Sequence, residues 1–456
     1  MATPGFNEMD LTGWGGFESH RSKVYRPATH RQLNDILKNG SCDKVIPRGL
    51  GRSYGDSATI QDGSVILTGR LDRMLAFDPE QNLLTCESGV TFADVLQVFG
   101  PRGYFLPVSP GTKFVSVGGA IAADVHGKNH HLAGSFGNFV EGFDLLTGNN
   151  ELIHCSRTEN SDVFWATIGG MGLTGFIVNA SFRLLPIETS WMQVNYRQVP
   201  NLDELLALVL DPSRSATYSV AWIDCLARSS RLGRAVLMEA EHARRNELMA
   251  ANADSPLELP KSRKRSVPFV LPNLALNQFS VRLFNTLYYH GHPTRSQVTE
   301  SYEPFFYPLD SIRNWNRIYG RRGFVQYQAL LPLESCREGI SKILDQISGS
   351  RLASFLAVLK RTGEADEGLL SFCKPGITLA CDIPNAGQRL CDLTHRLDQL
   401  LVDFGGRLYL AKDSLSTPGV IANMYPRLDE FRQVRSRIDP QNRFVSAQSR
   451  RLGIVS

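Results

Sequence analysis

Along the first 187 residues, apolar and polar positions alternate in short bursts rather than in long helical periods. Lys44–Pro47, Ser64–Leu67 and Leu83–Glu87 read as strands, whereas Phe92–Phe99, with apolar residues three and four apart, reads as a helix. Thr91 and Asp94 have the spacing of a capping box at its start, and Gly100 with Pro101 ends it. Asp162–Ile168 predicts a short helix and Phe176–Leu185 an alternating strand. From about 190 to 404 the register changes, with strands at Phe324–Leu331, Ser354–Lys360 and Gly376–Asp382 and a helix at Leu390–Phe404, which predicts a sheet carrying helices. The interval from about 241 to 280, charged and then proline-rich, reads as a mobile loop. A chain of 456 residues exceeds the usual size of one domain, so two are expected.

The loops between these elements carry the candidate chemistry. Residues 47–57, Pro-Arg-Gly-Leu-Gly-Arg-Ser-Tyr-Gly-Asp-Ser, contain three glycines that free backbone amides to turn around an anion such as a pyrophosphate. A glycine-rich turn between two strands is the other reading of the same residues. A second loop, Pro107–Gly119, places Ser116 where it can cap a short helix facing another anion or a polar ring edge. Two further glycine clusters follow, at 135–138 and 169–175. In the second, Gly170, Gly172 and Gly175 satisfy G-x-G-x-x-G, yet a helix precedes the motif and a strand follows it. A dinucleotide-binding Rossmann unit needs the opposite order, so that reading is excluded.

Five strings carry a resemblance: Arg48–Asp56; Asp124–His131 with Ala133–Asn138; Phe164–Thr167; Gln326-Tyr327-Gln328; and Gly405–Ser414. Together they resemble, over nearly the whole chain, the flavoprotein oxidase superfamily typified by vanillyl-alcohol oxidase, and within it the branch that oxidises polyprenyl-phosphoryl ribose. The resemblance implies an α+β fold in two domains. A PCMH-type FAD-binding domain would span 1–187, an antiparallel-sheet substrate domain 188–404, and a segment 405–456 would return to the FAD domain.

By the same resemblance, FAD would contact Pro47, Arg48, Gly49, Leu50, Gly51, Arg52, Ser53, Tyr54, Gly55, Asp56 and Ser57. Gly111, Ser116, Val117, Gly118, Gly119, Ala123, Asp124, Val125, His126, Ile177 and Tyr409 would complete its shell. Many relatives attach the flavin through a histidine just before the serine of the first loop; here Arg52 precedes Ser53, which implies non-covalent FAD. The implied activity is oxidation of the C2' hydroxyl of polyprenyl-phosphoryl-β-D-ribose to a 2'-keto sugar, the first half of an epimerisation to the arabinose donor of cell-wall polysaccharide. A separate NADH-dependent keto-reductase is the implied partner. Another sugar or alditol oxidase of the superfamily, releasing peroxide, and a flavin-binding protein without turnover are the alternatives.

Lys412, His126 and Tyr54 are the catalytic candidates. Lys412 follows an apolar strand, where a charged group is paired or functional rather than simply exposed. His126 either orients substrate or flavin through a ring nitrogen, or is structural, fixed by Lys128 or a backbone carbonyl. Trp222, Gln326, Gln328, Lys360, Thr378 and Lys412 are the candidates for substrate contact, and the two glutamines stand two apart on a strand and so share a face. Where that branch of the family carries an asparagine and, two residues on, the cysteine modified by nitro-aromatic inhibitors, this chain has Thr378 and Ala380; Cys381 falls on the opposite strand face. Phe306 replaces a pocket tyrosine, with Tyr307 beside it.

Composition narrows the rest. A formal net charge of +4 makes no general case for nucleic acid, and the basic run Lys261–Arg265 has no interleaved aromatics. That run is either a solvated loop or, with the apolar stretch Val267–Leu276 behind it, a contact for anionic headgroups. Eight scattered cysteines without C-x-x-C spacing read as reduced and buried, and His130 and His131 lack a carboxylate at ligand spacing, so no metal is expected. The first residues lack a secretory pattern and no apolar run reaches membrane-spanning length, so a cytoplasmic or peripheral membrane location is expected, the periplasmic face remaining open.

Overall fold

The computed structural model describes residues 5–38, 42–260, 265–272, 276–352 and 355–455. Most of the basic run Lys261–Arg265 and part of the stretch Val267–Leu276 therefore lie outside the described residues. The fold is α+β and rests on three sheets. A four-stranded sheet orders Asn7–Thr12, Ser19–Tyr25, Gly63–Leu67 and Val45–Arg48. An antiparallel five-stranded sheet orders Met74–Asp78, Leu83–Glu87, Phe176–Arg183, Val140–Leu146 and Leu152–Ser156. The third has eight strands, with Trp191–Val199, Ala235–His242, Tyr218–Ile223, Ala357–Thr362, Gly376–Pro384 and Phe324–Pro332 at its centre, flanked by Arg295–Ser301 and Arg407–Leu408.

Local signals place the elements that frame the first two sheets. The helix Phe92–Phe99 is closed at its start by the reciprocal bonds of Thr91 and Asp94, and it buries Phe92, Val95, Leu96 and Phe99. Each such side chain contributes about 1.5–3 kcal/mol when removed from water. The helix Val117–Ala122 begins where Ser116 Oγ accepts from the Gly119 amide at 3.3 Å. The short helix Ser161–Thr167 and the strand Phe176–Arg183 enclose the glycine cluster in the order that excludes a Rossmann turn.

The third sheet shows how a period of two sorts chemistry. On Phe324–Pro332, Tyr327 turns toward the helices: its hydroxyl donates to Asp398 of the helix Gln388–Asp403 at 3.0 Å. Gln326 and Gln328 turn the other way, into a cavity. Register extends that face across four strands, because Gln328 pairs with Ala380, Ala380 with Val358, and Val358 with Trp222. The interval 241–280, read from sequence as one loop, holds the end of the strand Ala235–His242, two short helices at Arg245–Glu247 and Ala250–Ala253, a two-residue strand Arg265–Ser266, and the start of the helix Gln278–Gly291. The tail touches two sheets. Arg407–Leu408 extends the eight-stranded sheet, while the Val445 amide donates to the Val45 carbonyl at 2.9 Å. Among the described residues, no helix is long and apolar enough to cross a membrane.

Candidate active site

A cavity of about 740 Å³ takes its lining from all three sheets and from the loops at 49–58 and 109–128. Of the residues named from sequence, Pro47, Gly49, Leu50, Gly51, Arg52, Ser53, Tyr54, Ser57, Gly111, Ser116, Gly118, Gly119, Ala123, Val125, His126, Ile177 and Tyr409 line it. So do Trp222, Gln326, Gln328, Lys360, Thr378 and Lys412. Five do not: Arg48, Gly55, Asp56, Val117 and Asp124. The Arg48 guanidinium donates instead to the carbonyls of Thr12 at 2.7 Å and Ala58 at 3.2 Å, pinning the N-terminal strand. Asp56 is held by Arg451 at 2.7 Å, Val117 is core, and Asp124 accepts from Ser135 Oγ at 2.8 Å and from the Gly137 amide at 3.0 Å.

The groove side of this cavity suits a dinucleotide. Thr68 Oγ1, Ser88 Oγ and Arg52 Nε are buried without a protein partner, and all three residues line the cavity. Unpaired buried polar atoms are costly, so such a row is explained by a polar ligand. Gly51 adopts φ +64°, open to glycine at little cost, and a Cβ on Gly49 would collide with Ser116 Oγ. The residues present therefore fit FAD through main-chain amides and small hydroxyls. Arg52 stacks on Trp14, 4.0 Å from the ring centre.

At the sheet end, two polar assemblies meet. Lys412 Nζ lies 4.0 Å from the centre of the Tyr54 ring. Burial pushes this lysine down to about 7; nearby Asp382 opposes the shift and Lys360 adds to it. Asp382 is fully buried, accepts from Gln326 Nε2 at 2.6 Å and from Tyr319 at 3.3 Å, and is pushed up to about 7 by burial. Gln326 also donates to the Tyr54 hydroxyl at 3.3 Å, and burial holds that phenol well above its usual range, leaving it protonated.

In the second assembly His126 is fixed by neither Lys128 nor a carbonyl. Its Nε2 lies 2.9 Å from the Gln328 amide, and its Nδ1 lies 3.2 Å from Lys360 Nζ. Burial first, then the charge of Lys360, keeps the ring neutral. A neutral imidazole accepts at one nitrogen only, so donation by Lys360 to Nδ1 and donation by Gln328 to Nε2 exclude one another. Lys360, pushed down to about 8 by burial, is thereby linked to the orientation of the Gln328 amide. Lys128 donates instead to the carbonyls of Phe305 and Phe306. His130 accepts from the Gly363 amide at 3.0 Å and His131 bonds the Ala216 carbonyl at 2.9 Å.

Sequence reasoning missed Asp382, although Thr378, Ala380 and Asp382 alternate onto one face, and that alternation was its only available signal. It also missed Trp14, Thr68, Ser88, Phe284, Tyr288 and Phe355, which reach the cavity from distant segments. Thr378 and Ala380 line the cavity, whereas Cys381 is buried and does not. Phe306 lines it too; the Tyr307 hydroxyl is bound to Ser109 Oγ at 2.6 Å. Among the described residues, no group of three His, Cys, Asp or Glu is arranged to hold a metal ion.

Residues 22–156 match the FAD binding domain family and residues 322–452 the D-arabinono-1,4-lactone oxidase family. The chain is 40% identical over 414 residues to the decaprenylphosphoryl-beta-D-ribose oxidase of Mycolicibacterium smegmatis, covering 90% of this chain and 89% of that protein. It is 33% identical over 373 residues to an uncharacterized protein of Streptomyces coelicolor, covering 80% of this chain and 100% of that one. The L-gulono-1,4-lactone dehydrogenase of Mycobacterium tuberculosis is 21% identical over 435 residues, covering 94% of this chain and 96% of that protein. The protein is thus an FAD-dependent oxidoreductase acting on CH–OH groups. The chain belongs to the decaprenylphosphoryl-β-D-ribose oxidase family.

Proposed function

We propose that the protein oxidises the C2' hydroxyl of a polyprenyl-phosphoryl-β-D-ribose, with Lys412 receiving the hydroxyl proton. The observation that carries this reading is the convergence of Lys412, Tyr54, Gln326, Gln328 and Lys360 on one cavity that is continuous with the FAD groove. FAD, when bound there non-covalently, supplies the acceptor for the carbinol hydrogen and its electron pair. Lys412, held near neutrality in its proton affinity, takes a proton at Nζ without a large mismatch to a working pH near 7. Tyr54 keeps its proton and donates it to a ligand oxygen, while Gln326 fixes its hydroxyl. Gln328 reads a sugar hydroxyl and Thr378 supports its amide at 3.3 Å. Lys360 meets the anionic phosphate, and Trp222 covers an apolar sugar face.

The phosphoryl ribose is a substrate class taken from the name of the 40% identical relative, and the polar floor of the cavity suits it. The 2'-keto product is chemically ready for reduction, so a separate NADH-dependent keto-reductase completes the proposed epimerisation. The lipid chain of the substrate brings the enzyme to a membrane surface. Product analysis tests the reading: reduction of the product with borodeuteride places deuterium at C2'. Deuterium at another carbon, or an unchanged sugar, overturns it.

A further inference from the structure

Exposed apolar residues cluster where the cavity meets the helix Gln278–Gly291. Phe279, Leu283 and Leu287, four apart and so on one helix face, are 78%, 51% and 65% exposed. Neighbouring positions of the same helix, Phe284 and Tyr288, line the cavity. A second segment brings further apolar surface. The amides of Val267 and Leu271 donate to the carbonyls of Arg313 and Arg317 at 3.0 Å, which runs this segment beside Trp315 of the cavity wall and presents Phe269 at 62% exposure. Leu276 packs with Val281 of the helix and with the cluster of Trp315 and Phe324.

Charge supplies the second observation. Between residues 261 and 299 there is no Asp or Glu, while Lys261, Arg263, Lys264, Arg265, Arg282 and Arg295 all fall within that span. Arg265, Arg282 and Arg313 are exposed. A basic segment with a row of protruding aromatic and aliphatic side chains matches an anionic lipid surface, whose headgroups attract the cations while the apolar groups enter the acyl boundary. A soluble monomer gains nothing from such an unpartnered row.

We infer that the helix Gln278–Gly291 and the segment around Phe269 form the face that docks on an anionic bilayer, so that a lipid-linked substrate passes from the membrane along Phe284 and Tyr288 into the cavity. The inference rests on the polyprenyl reading of the substrate for its purpose and on the exposed face for its geometry. Sedimentation of the FAD-loaded protein with phosphatidylcholine vesicles, with and without phosphatidylglycerol, tests it. The wild type should co-sediment with the anionic vesicles and dissociate as salt is raised. The triple variant Phe279→Ser, Leu283→Ser, Leu287→Ser should partition at least about 100-fold more weakly. Arg265→Glu with Arg282→Glu should weaken binding to the anionic vesicles by at least about 10-fold and leave binding to pure phosphatidylcholine unchanged. Both variants should keep FAD and full turnover of a short-chain, water-soluble phosphoryl ribose.

Wild-type protein that stays in the supernatant, or a triple variant that sediments like the wild type, overturns the inference. A wild-type dimer that the triple variant splits overturns it as well, by assigning the face to a second copy of the chain. The turnover of the short-chain compound is read separately. Its failure, with vesicle binding intact, removes the substrate reading and leaves the surface standing.

Discussion

Lys412 Nζ sits 4.0 Å above the Tyr54 ring, and the Tyr54 hydroxyl is tied through Gln326 to the buried carboxyl of Asp382. One half-buried cation, one buried phenol and one buried carboxyl therefore meet at the cavity wall, with Lys412 and Tyr54 lining it and Asp382 behind them. Burial pushes both Lys412 and Asp382 to about 7, from opposite sides, so the proton that alcohol oxidation releases meets groups of matched affinity.

This relationship predicts a pH profile. If Lys412 accepts the hydroxyl proton, kcat/KM rises with pH as the lysine loses its own proton, through about 7. Lys412→Met removes that limb and lowers kcat/KM by about 10²- to 10⁴-fold while FAD content is unchanged. Because Asp382 raises the affinity of Lys412 for its proton, Asp382→Asn moves the limb to lower pH. Steady-state profiles of the three proteins, taken beside flavin absorbance, check this; a limb that survives Lys412→Met assigns the proton to another group.

Cavity chemistry at the sheet predicts a gain of reactivity. Among the described residues, no cysteine lines the cavity; Ala380 occupies that strand face and Cys381 the other. Nitro-aromatic compounds and thiol alkylators should leave the site unmodified. Ala380→Cys should take one adduct per chain, seen as a single mass increment by intact-protein mass spectrometry. Adduct formation at wild-type Cys381 would contradict the strand face assigned here.

Arg451, outside the cavity lining, predicts a stability effect. Its guanidinium bonds Asp56 at 2.7 Å and Asp413 at 2.8 Å, two buried carboxylates on the loops that carry the FAD-groove residues and Lys412. Arg451→Met strands both charges, at a cost of about 3–5 kcal/mol. Thermal unfolding should begin earlier and FAD should be released with it, whereas Arg451→Lys should recover part of the loss. An unchanged melting curve for the methionine variant rejects this role.

Arg52 in place of a flavin-linking histidine predicts free FAD. Acid precipitation of the holoprotein should leave the yellow colour in the supernatant; colour in the pellet would mean a covalent bond.

How far the sequence alone reaches is clear at particular residues. The shared face of Gln326 and Gln328 follows from a period of two, and the Ser116 and Thr91 caps follow from local spacing, so these were legible. Arg48 and Asp56 sit inside the glycine loop, yet Thr12, Ala58 and Arg451 hold them away from the cavity. Those partners lie up to 395 positions away, and no local pattern encodes them. His126 shows the same limit. Its neighbours in sequence offered Lys128 as a partner, but the folded chain supplies Lys360 and Gln328 from two strands of the eight-stranded sheet. The helix Gln278–Gly291, whose first turn alone falls in 241–280, was missed although Phe279, Leu283 and Leu287 stand four apart and Asn277 with Ser280 has the spacing of a capping box.

Anaerobic mixing of the holoprotein with a short-chain polyprenyl-phosphoryl ribose, followed by visible flavin absorbance, shows whether this sugar reduces the flavin and whether Lys412 is required. The wild type should bleach within the turnover time, and Lys412→Ala, with the same FAD content, should bleach at least about 100-fold more slowly. A wild-type protein that holds FAD and stays yellow with this substrate contradicts the proposed oxidation, and a Lys412→Ala variant that bleaches as fast contradicts the role of Lys412.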